Sequence, residues 1–424
     1  MINEDPLAGA DAVDWANLPA HSPAEQIPEW LRALRSDASA ARGQALQKLC
    51  DILFHQGERY VAAASTVPFL LALAADPTTP QRDRIIHLLV ILAIGDEEES
   101  LPGGLDIAHW RAEIARMQAG ITEHEQRRHF EHWITMAADQ DERRWRASQW
   151  EIFSVAAERL RVGAGLAAYD AVGAGIGVIR DLLGDGDPAL RAAAAYALGW
   201  FPEQAAESGP LLAMLLDTED VPGVAVNAII SAGLLPSRAL VPRLQQFLRG
   251  SEPLTRCAAA IALANLGALT PEVTTLLAFA GTHLPQTNDP LVCFMDGNLR
   301  GYASLVLLGL DGAVPAAAVD AVLDGLSRSS GTHAYPIALA ALRLTFGNRV
   351  LRPLPPFEDL LPAQQRAVRV LAELDHSAWR WWDFVAILDG RNLPRTRSGC
   401  RRYAGLEEGE LTADDMRDLH AMGF

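Results

Sequence analysis

The chain has 424 residues, half of them hydrophobic, and its 53 acidic residues outnumber 36 basic ones for a formal net charge of −17. That length exceeds one ordinary globular core and suits a linear array of packed modules. The charge argues against the phosphate backbone, which calls for a Lys/Arg surface that displaces counterions, and favours a basic protein or peptide partner.

Taken from the start, Met1 to Asp14 is acidic and lacks the basic-then-apolar layout of a secretory signal. The longest apolar runs, Val61 to Ala75 and Ile85 to Ile94, are short or broken by Pro68, so no membrane span is expected. Cys50, Cys257, Cys293 and Cys400 are far apart and form no CxxC pair. Neither a zinc knuckle nor a disulfide framework is signalled, and a reducing cytoplasm is the expected setting. Lys48 is the single lysine; with heavy Ala, Leu, Gly and Pro usage this reads as coding bias of a GC-rich bacterial genome.

The first helical pair runs through Ile27, Trp30, Leu31 and Leu34, turns at Ser36-Asp37, and resumes with Ala45, Leu46, Leu49, Ile52 and Leu53. Val67-Pro68 is expected to open the next pair, with Pro in a first turn where its missing N–H costs nothing. Phe69, Leu70 and Leu73 follow, then a turn at Asp76-Pro77, a second stripe at Ile85, Leu88, Leu89 and Leu92, and Gly95 as terminator. Glu97, Glu98 and Glu99 with Pro102-Gly103-Gly104 read as an acidic loop closing a first segment, 1–104. Residues 105–162 read as longer charged helices bearing Trp110, Trp133, Trp145 and Trp150, an insert or a run of degenerate units.

The main array occupies 163–350. Ala197-Leu198-Gly199, Ser231-Ala232-Gly233 and Asn265-Leu266-Gly267 recur every 34 residues, the signature of stacked helical hairpins. Each glycine is expected to close its helix in a left-handed conformation. Upstream, Ile176, Ile179, Leu182 and Leu183 form a stripe and Gly184-Asp185-Gly186 turns; Asp187 is placed to cap a helix with Pro188 first and Leu190, Ala193, Ala194 and Ala197 on its apolar face. Pro210, Leu212 and Leu215 with Val226, Ile229 and Ile230 repeat the plan, as do Val241-Pro242, Leu244 and Leu248 with Cys257 and Ile261. Beyond Gly267 a polar excursion at Thr282 to Pro290 precedes Leu305, Leu307 and Leu308, and a further pair lies around Val319, Val322, Leu326, Ile337 and Leu342. The last segment, 351–424, reads as a cap: a helix at Gln364 to Leu374, the cluster Trp379, Trp381, Trp382 and Phe384, then a basic stretch.

The paired short helices, the Pro near each first helix, the Asp-Pro turn and Arg191 four residues after Asp187 resemble HEAT repeats, especially the short HEAT-like type of phycobilisome lyase relatives. His55-Gln56-Gly57-Glu58-Arg59-Tyr60 followed by Val67-Pro68-Phe69-Leu70 is similar to a group of bacterial HEAT-repeat proteins. The resemblance covers roughly residues 25–95 and 170–350. It implies an all-α, right-handed superhelix of armadillo type. HEAT relatives include scaffolds, bilin lyases and alkylpurine DNA glycosylases, so the fold licenses no chemistry by itself.

Catalytic constellations are thin. There is no Gly-rich phosphate loop after a strand, no GxSxG and no HExxH, and no catalytic residue or cofactor is expected. Glu125, His129 and His132 share a helix face with donor types that suit zinc; the competing reading is a solvated helix with Glu125 and His129 as an i,i+4 pair. Trp381 and Trp382 with Arg380 and Arg391 to Arg402 mix stacking planes and phosphate-pairing forks; the competing reading buries the tryptophans and sets the arginines against acidic neighbours such as Glu407 and Glu408. Asn227, Ser231 and Asn265 fall on second helices, where amides could grip an extended peptide or tie neighbouring helix ends. His55, Gln56 and Tyr60 enter through the resemblance, and could equally tie a loop to the next hairpin.

The expectation is a non-enzymatic protein- or peptide-binding scaffold using its concave second-helix surface, with immunity-like neutralisation of a basic toxin or nuclease as its most specific form. The alternatives are a HEAT-like DNA-repair glycosylase and a bilin lyase or metal binder.

Overall fold

The computed structural model describes residues 5–406 apart from 138, 286–287, 311–314 and 349, and describes the backbone alone at 98, 141 and 152. Among the described residues the fold is all-α, with one two-stranded hairpin. It divides into two compact units: the chain up to Ser100 with Gly104–Leu211, and Leu101–Gly103 with the chain from Leu212 onward. No single helix is long and apolar enough to cross a membrane.

In the first unit α1 (Ile27–Ala33) pairs with α2 (Ser39–Leu53). The hairpin β1 (Phe54–His55) and β2 (Glu58–Arg59) leads to α3 (Val61–Ala75), which pairs with α4 (Arg82–Ile94). Three charged helices follow, α5 (Ile107–Gly120), α6 (Glu123–Thr135) and α7 (Gln140–Ile152). Then α8 (Val155–Ala174) and α9 (Ile176–Asp181) lead to α10 (Pro188–Leu198). First helices meet first helices, α3 on α1 and α8; second helices meet second helices, α4 on α2 and α10. Alanine makes the close approach possible: Ala192 to Leu198 of α10 are buried without a break. By contrast α6 and α7 pack chiefly on one another, and α6 has no fully buried side chain.

Pro68 corrects one expectation. It lies inside α3, which starts at Val61, because Ala62, Ala63, Thr66 and Val67 extend the buried apolar face upstream of it. Burial of that face outweighs the one hydrogen bond that Pro68 cannot make. Pro210 likewise sits inside α11 (Ala205–Thr218).

In the second unit the pairs continue with α12 (Pro222–Leu234), α13 (Val241–Leu248), α14 (Pro253–Asn265), α15 (Pro271–His283) and α16 (Leu299–Leu308). After these come α17 (Ala316–Leu326), α18 (Ala334–Phe346) and α19 (Pro362–Glu373). The second helices α12, α14, α16 and α18 pack in sequence, and α15, α17 and α19 do the same on the other layer. The chain then forms α20 (His376–Trp379), α21 (Trp382–Asp389) and α22 (Arg397–Tyr403); α21 packs on α18, α22 on α19, and α20 on α21 and the turn Gly331–His333 that precedes α18.

Arginines near the start of second helices fasten the turns. Arg42 of α2 donates from Nη1 to Ser36 O (2.8 Å) and Asp37 O (2.9 Å). Arg191 of α10 does the same to Asp185 O (2.9 Å) and Gly186 O (3.3 Å), and Arg256 of α14 donates to Leu248 O at the end of α13 (3.3 Å). These carbonyls follow a helix end, where partners are missing and a cation is favoured. Asp187 caps α10 through the Ala189 amide as its sequence position indicates.

The three period-marking glycines do different work. Gly267 is left-handed (φ 68°) as expected, but Gly199 is right-handed (φ −63°) and Gly233 lies inside α12. A Cβ at Gly233 would stand 2.4 Å from the Ala262 Cα, so what Gly233 supplies is contact between α12 and α14.

Candidate functional site

The motif His55 to Tyr60 forms the β1–β2 hairpin, whose two turn residues, Gln56 (φ 49°) and Gly57 (φ 83°), are both left-handed. His55 stacks on His21 with ring centroids 3.9 Å apart, and the Tyr60 hydroxyl lies 3.3 Å from His21 Nδ1. Together they tie the N-terminal segment to the hairpin. Gln56 is exposed at the tip.

Arg59 points the other way and carries more structural information than its neighbours. Its guanidinium lies over the Trp110 ring (5.5 Å), donates from Nη1 to Gly57 O (3.0 Å), and leaves a buried Nε without a partner. Gly95 and Gly165 make room for it, since a Cβ at either would stand 2.3 or 2.8 Å from its nitrogens. Burial lowers its pKa, and Glu99 and Asp96 oppose that shift. Tyr169 meets the Trp110 ring edge-on (5.8 Å) and buries a hydroxyl that has no hydrogen-bond partner. Burial raises its pKa. Arg111 bridges Asp170 (2.6 Å) and Glu203 (3.0 Å) beside it, and the hydrogen bonds it donates to both carboxylates raise the guanidinium pKa. Trp110 was legible as an aromatic in a charged segment; its cationic neighbour Arg59 comes from β2, inside the motif already singled out, whereas its phenolic neighbour Tyr169 comes from α8 and leaves no local signal.

Asn227 and Ser231 are fully buried in α12. The Asn227 amide donates from Nδ2 to Gly223 O (2.8 Å) and Leu291 O (2.7 Å), and its Oδ1 accepts from the Cys293 amide (2.9 Å). Asn265 donates from Nδ2 to Pro102 O (2.8 Å), which also accepts from the Tyr302 hydroxyl (3.1 Å). Both amides hold irregular backbone, and in each case it is the chain's own. Tyr302, a partner in this grip, has no spacing signal in the sequence.

Glu125, His129 and His132 are all exposed on α6. Glu125 closes the N-terminus of the helix, with its amide on Thr122 Oγ1 (3.2 Å) and its carboxylate accepting from the same hydroxyl (3.0 Å). Among the described residues no group of three or more His, Cys, Asp or Glu side chains could hold a metal ion. Beside them, Phe130, Trp133, Trp145, Trp150 and Phe153 form a cluster of ring contacts between α6 and the α7 region, with Trp145 56% exposed.

The C-terminal tryptophans separate. Trp379 is buried against Phe384 (5.2 Å), whereas Trp381 and Trp382 are 49% and 81% exposed. Arg391 is buried and donates to Ile387 O (3.0 Å), Arg395 pairs with Asp389 (2.6 Å), and Arg397 donates to Leu374 O (3.0 Å). Glu407 and Glu408 lie outside the described residues. Of the thiols, burial pushes Cys257, helped by Glu252, and Cys400 up to about 12, which keeps both neutral near pH 7.

No family model matches the chain, and no curated protein matches it. Among solved structures it is similar to an engineered protein determined by a structural genomics consortium, 17% identical over 93% of this chain and 99% of that chain, with a TM-score of 0.25. A likeness at that level carries no argument.

Proposed function

We propose that the chain is a HEAT-type solenoid scaffold without catalytic activity that binds a basic protein or peptide in a bacterial cytoplasm. The observation that supports it best is the like-on-like stacking of arginine-fastened helix pairs within each unit. Such modules hide apolar surface against their neighbours and offer their outer faces to a guest. A net charge of −17 steers basic partners and repels nucleic acid. Because Asn227 and Asn265 are engaged by the chain's own backbone, the guest surface is assigned to exposed side chains and rims and not to an amide ladder. Neutralisation of a basic toxin or nuclease is the most specific form of this reading.

The test is capture of partners from the source cells on the immobilised chain, eluted with a salt gradient, beside a duplex DNA binding assay. Basic proteins that elute with rising salt, with DNA left unbound, are expected. Recovery of acidic proteins or small molecules alone, or tight salt-sensitive DNA binding, would overturn it.

A further inference from the structure

The α6–α7 pair is an amphipathic hairpin that lacks a third layer. Its helices have 13 residues each, a length at which a helix is marginal in water without tertiary packing, and they find that packing chiefly in one another. Phe130, Trp133, Trp150 and Phe153 are only partly buried. Trp145 meets Trp133 edge-on (5.6 Å) with more than half of itself in solvent, and Met136, one turn beyond Trp133 on α6, is 66% exposed. Half-covered rings beside a bare methionine mark a docking face.

Charge decides what docks there. The two helices carry six carboxylates and five arginines, close to neutral within a chain of net charge −17. Among the described residues, Glu131, Glu151, Arg128 and Arg143 are exposed and take part in no ion pair. A guest of one sign, a basic peptide or a nucleic acid, would attract two of these four side chains and repel the other two. A second copy of the chain suits all four, because a two-fold axis sets arginines of each copy against glutamates of the other. The near-neutral pair is also a part of the surface where two strongly acidic chains can approach with little repulsion.

We propose that the α6–α7 face is a self-association surface, on which a second copy seats its own α6–α7 pair to complete a four-helix bundle, with Met136 and Trp145 of both copies buried at the contact. The bundle supplies the layer that the hairpin lacks within one chain.

The experiment is sedimentation velocity of the full chain over a wide concentration range. The parent should be a dimer at micromolar concentration and nothing larger. M136E/W145E should weaken association about 100-fold, because it puts charge at the apolar centre. R128E/R143E and E131R/E151R should each be monomeric alone, and an equimolar mixture of the two should form a heterodimer, a rescue that an unfolded hairpin could not give. A dimer indifferent to M136E/W145E overturns the proposal, as do charge-reversed chains that stay dimeric alone, a mixture that stays monomeric, or a mass that climbs without limit. A monomeric parent overturns it too, in favour of a basic guest if polylysine quenches the indole fluorescence that Trp145→Phe removes, and of a nucleic acid if single-stranded oligothymidine does.

Discussion

Replacing Gly233 by alanine adds one methyl group at the α12–α14 contact, where it would stand 2.4 Å from the Ala262 Cα and 3.0 Å from the Ala262 carbonyl oxygen. Carbon atoms pack at about 3.5–4.0 Å, and both obstacles are backbone, so no side-chain rotation relieves the overlap. The helices must part by about 1 Å, loosening Ile229, Ile230, Ala258 and Ile261, all fully buried. Overpacking of this kind costs about 1–3 kcal/mol, against a helix-propensity gain of about 1 kcal/mol for Gly→Ala. With the loosened contacts on both sides added, a net loss of about 2 kcal/mol is expected, which lowers the melting temperature of a unit this size by about 4–8 °C. Gly43→Ala is the matched control. Gly43 is exposed in the middle of α2 with nothing within 4 Å of the added methyl, so the same change should stabilise by about 0.5–1 kcal/mol. Calorimetry and urea titration of the three proteins decide the matter. A Gly233→Ala chain as stable as the parent would refute the close-contact reading.

Asn227→Ala removes the side chain that holds Leu291 O and the Cys293 amide and should cost about 2–3 kcal/mol, with faster hydrogen exchange at Cys293 as the local readout. Cys257 and Cys400 should resist alkylation at pH 8 in the native chain and react once it is unfolded. Their folded pKa values lie above that of an unfolded thiol, so the stability they hold is fully present below pH 9 and is lost between pH 9 and 12 as the unfolded chain ionises. Asp185 behaves in the opposite sense. The Asp187 amide and the Arg82 guanidinium (2.8 Å) hold its carboxyl below the ordinary value of 3.8, so its contribution is present above that pH and disappears as pH falls beneath it. Asp185→Asn should therefore flatten the acid limb of a stability-against-pH curve measured by urea unfolding, and an unchanged limb would contradict the assignment.

The helices were legible where apolar spacing is regular and bounded by Pro, Asp or Gly, as in Asp187-Pro188 at the head of α10 or Gly95 at the end of α4. Reading every glycine as a terminator failed because a glycine can serve a neighbour instead of its own helix. Gly233 is shaped by Ala262, and Gly95 besides ending α4 clears space for Arg59. The β1–β2 hairpin was missed although Gln56-Gly57 is a turn signal, since two-residue strands are too short to show alternation. Among candidate site residues, the identity of Asn227 was informative and its address was not. Its partners stand 64 and 66 residues away, on a loop with no periodicity to announce it. The same holds for Trp379 and Trp382, three positions apart with opposite exposure, because the neighbouring helices and not the local sequence decide which ring is covered.

The α6–α7 pair draws its cohesion mainly from its own aromatic rings, and the layers built on α3, α4, α8 and α10 owe it little. An appendage so loosely mortgaged to the body can drift in sequence, lengthen or be exchanged while the stacked layers go on folding as before. Sequence change can therefore accumulate there at small thermodynamic risk, and the same outcrop is the natural place to insert a reporter.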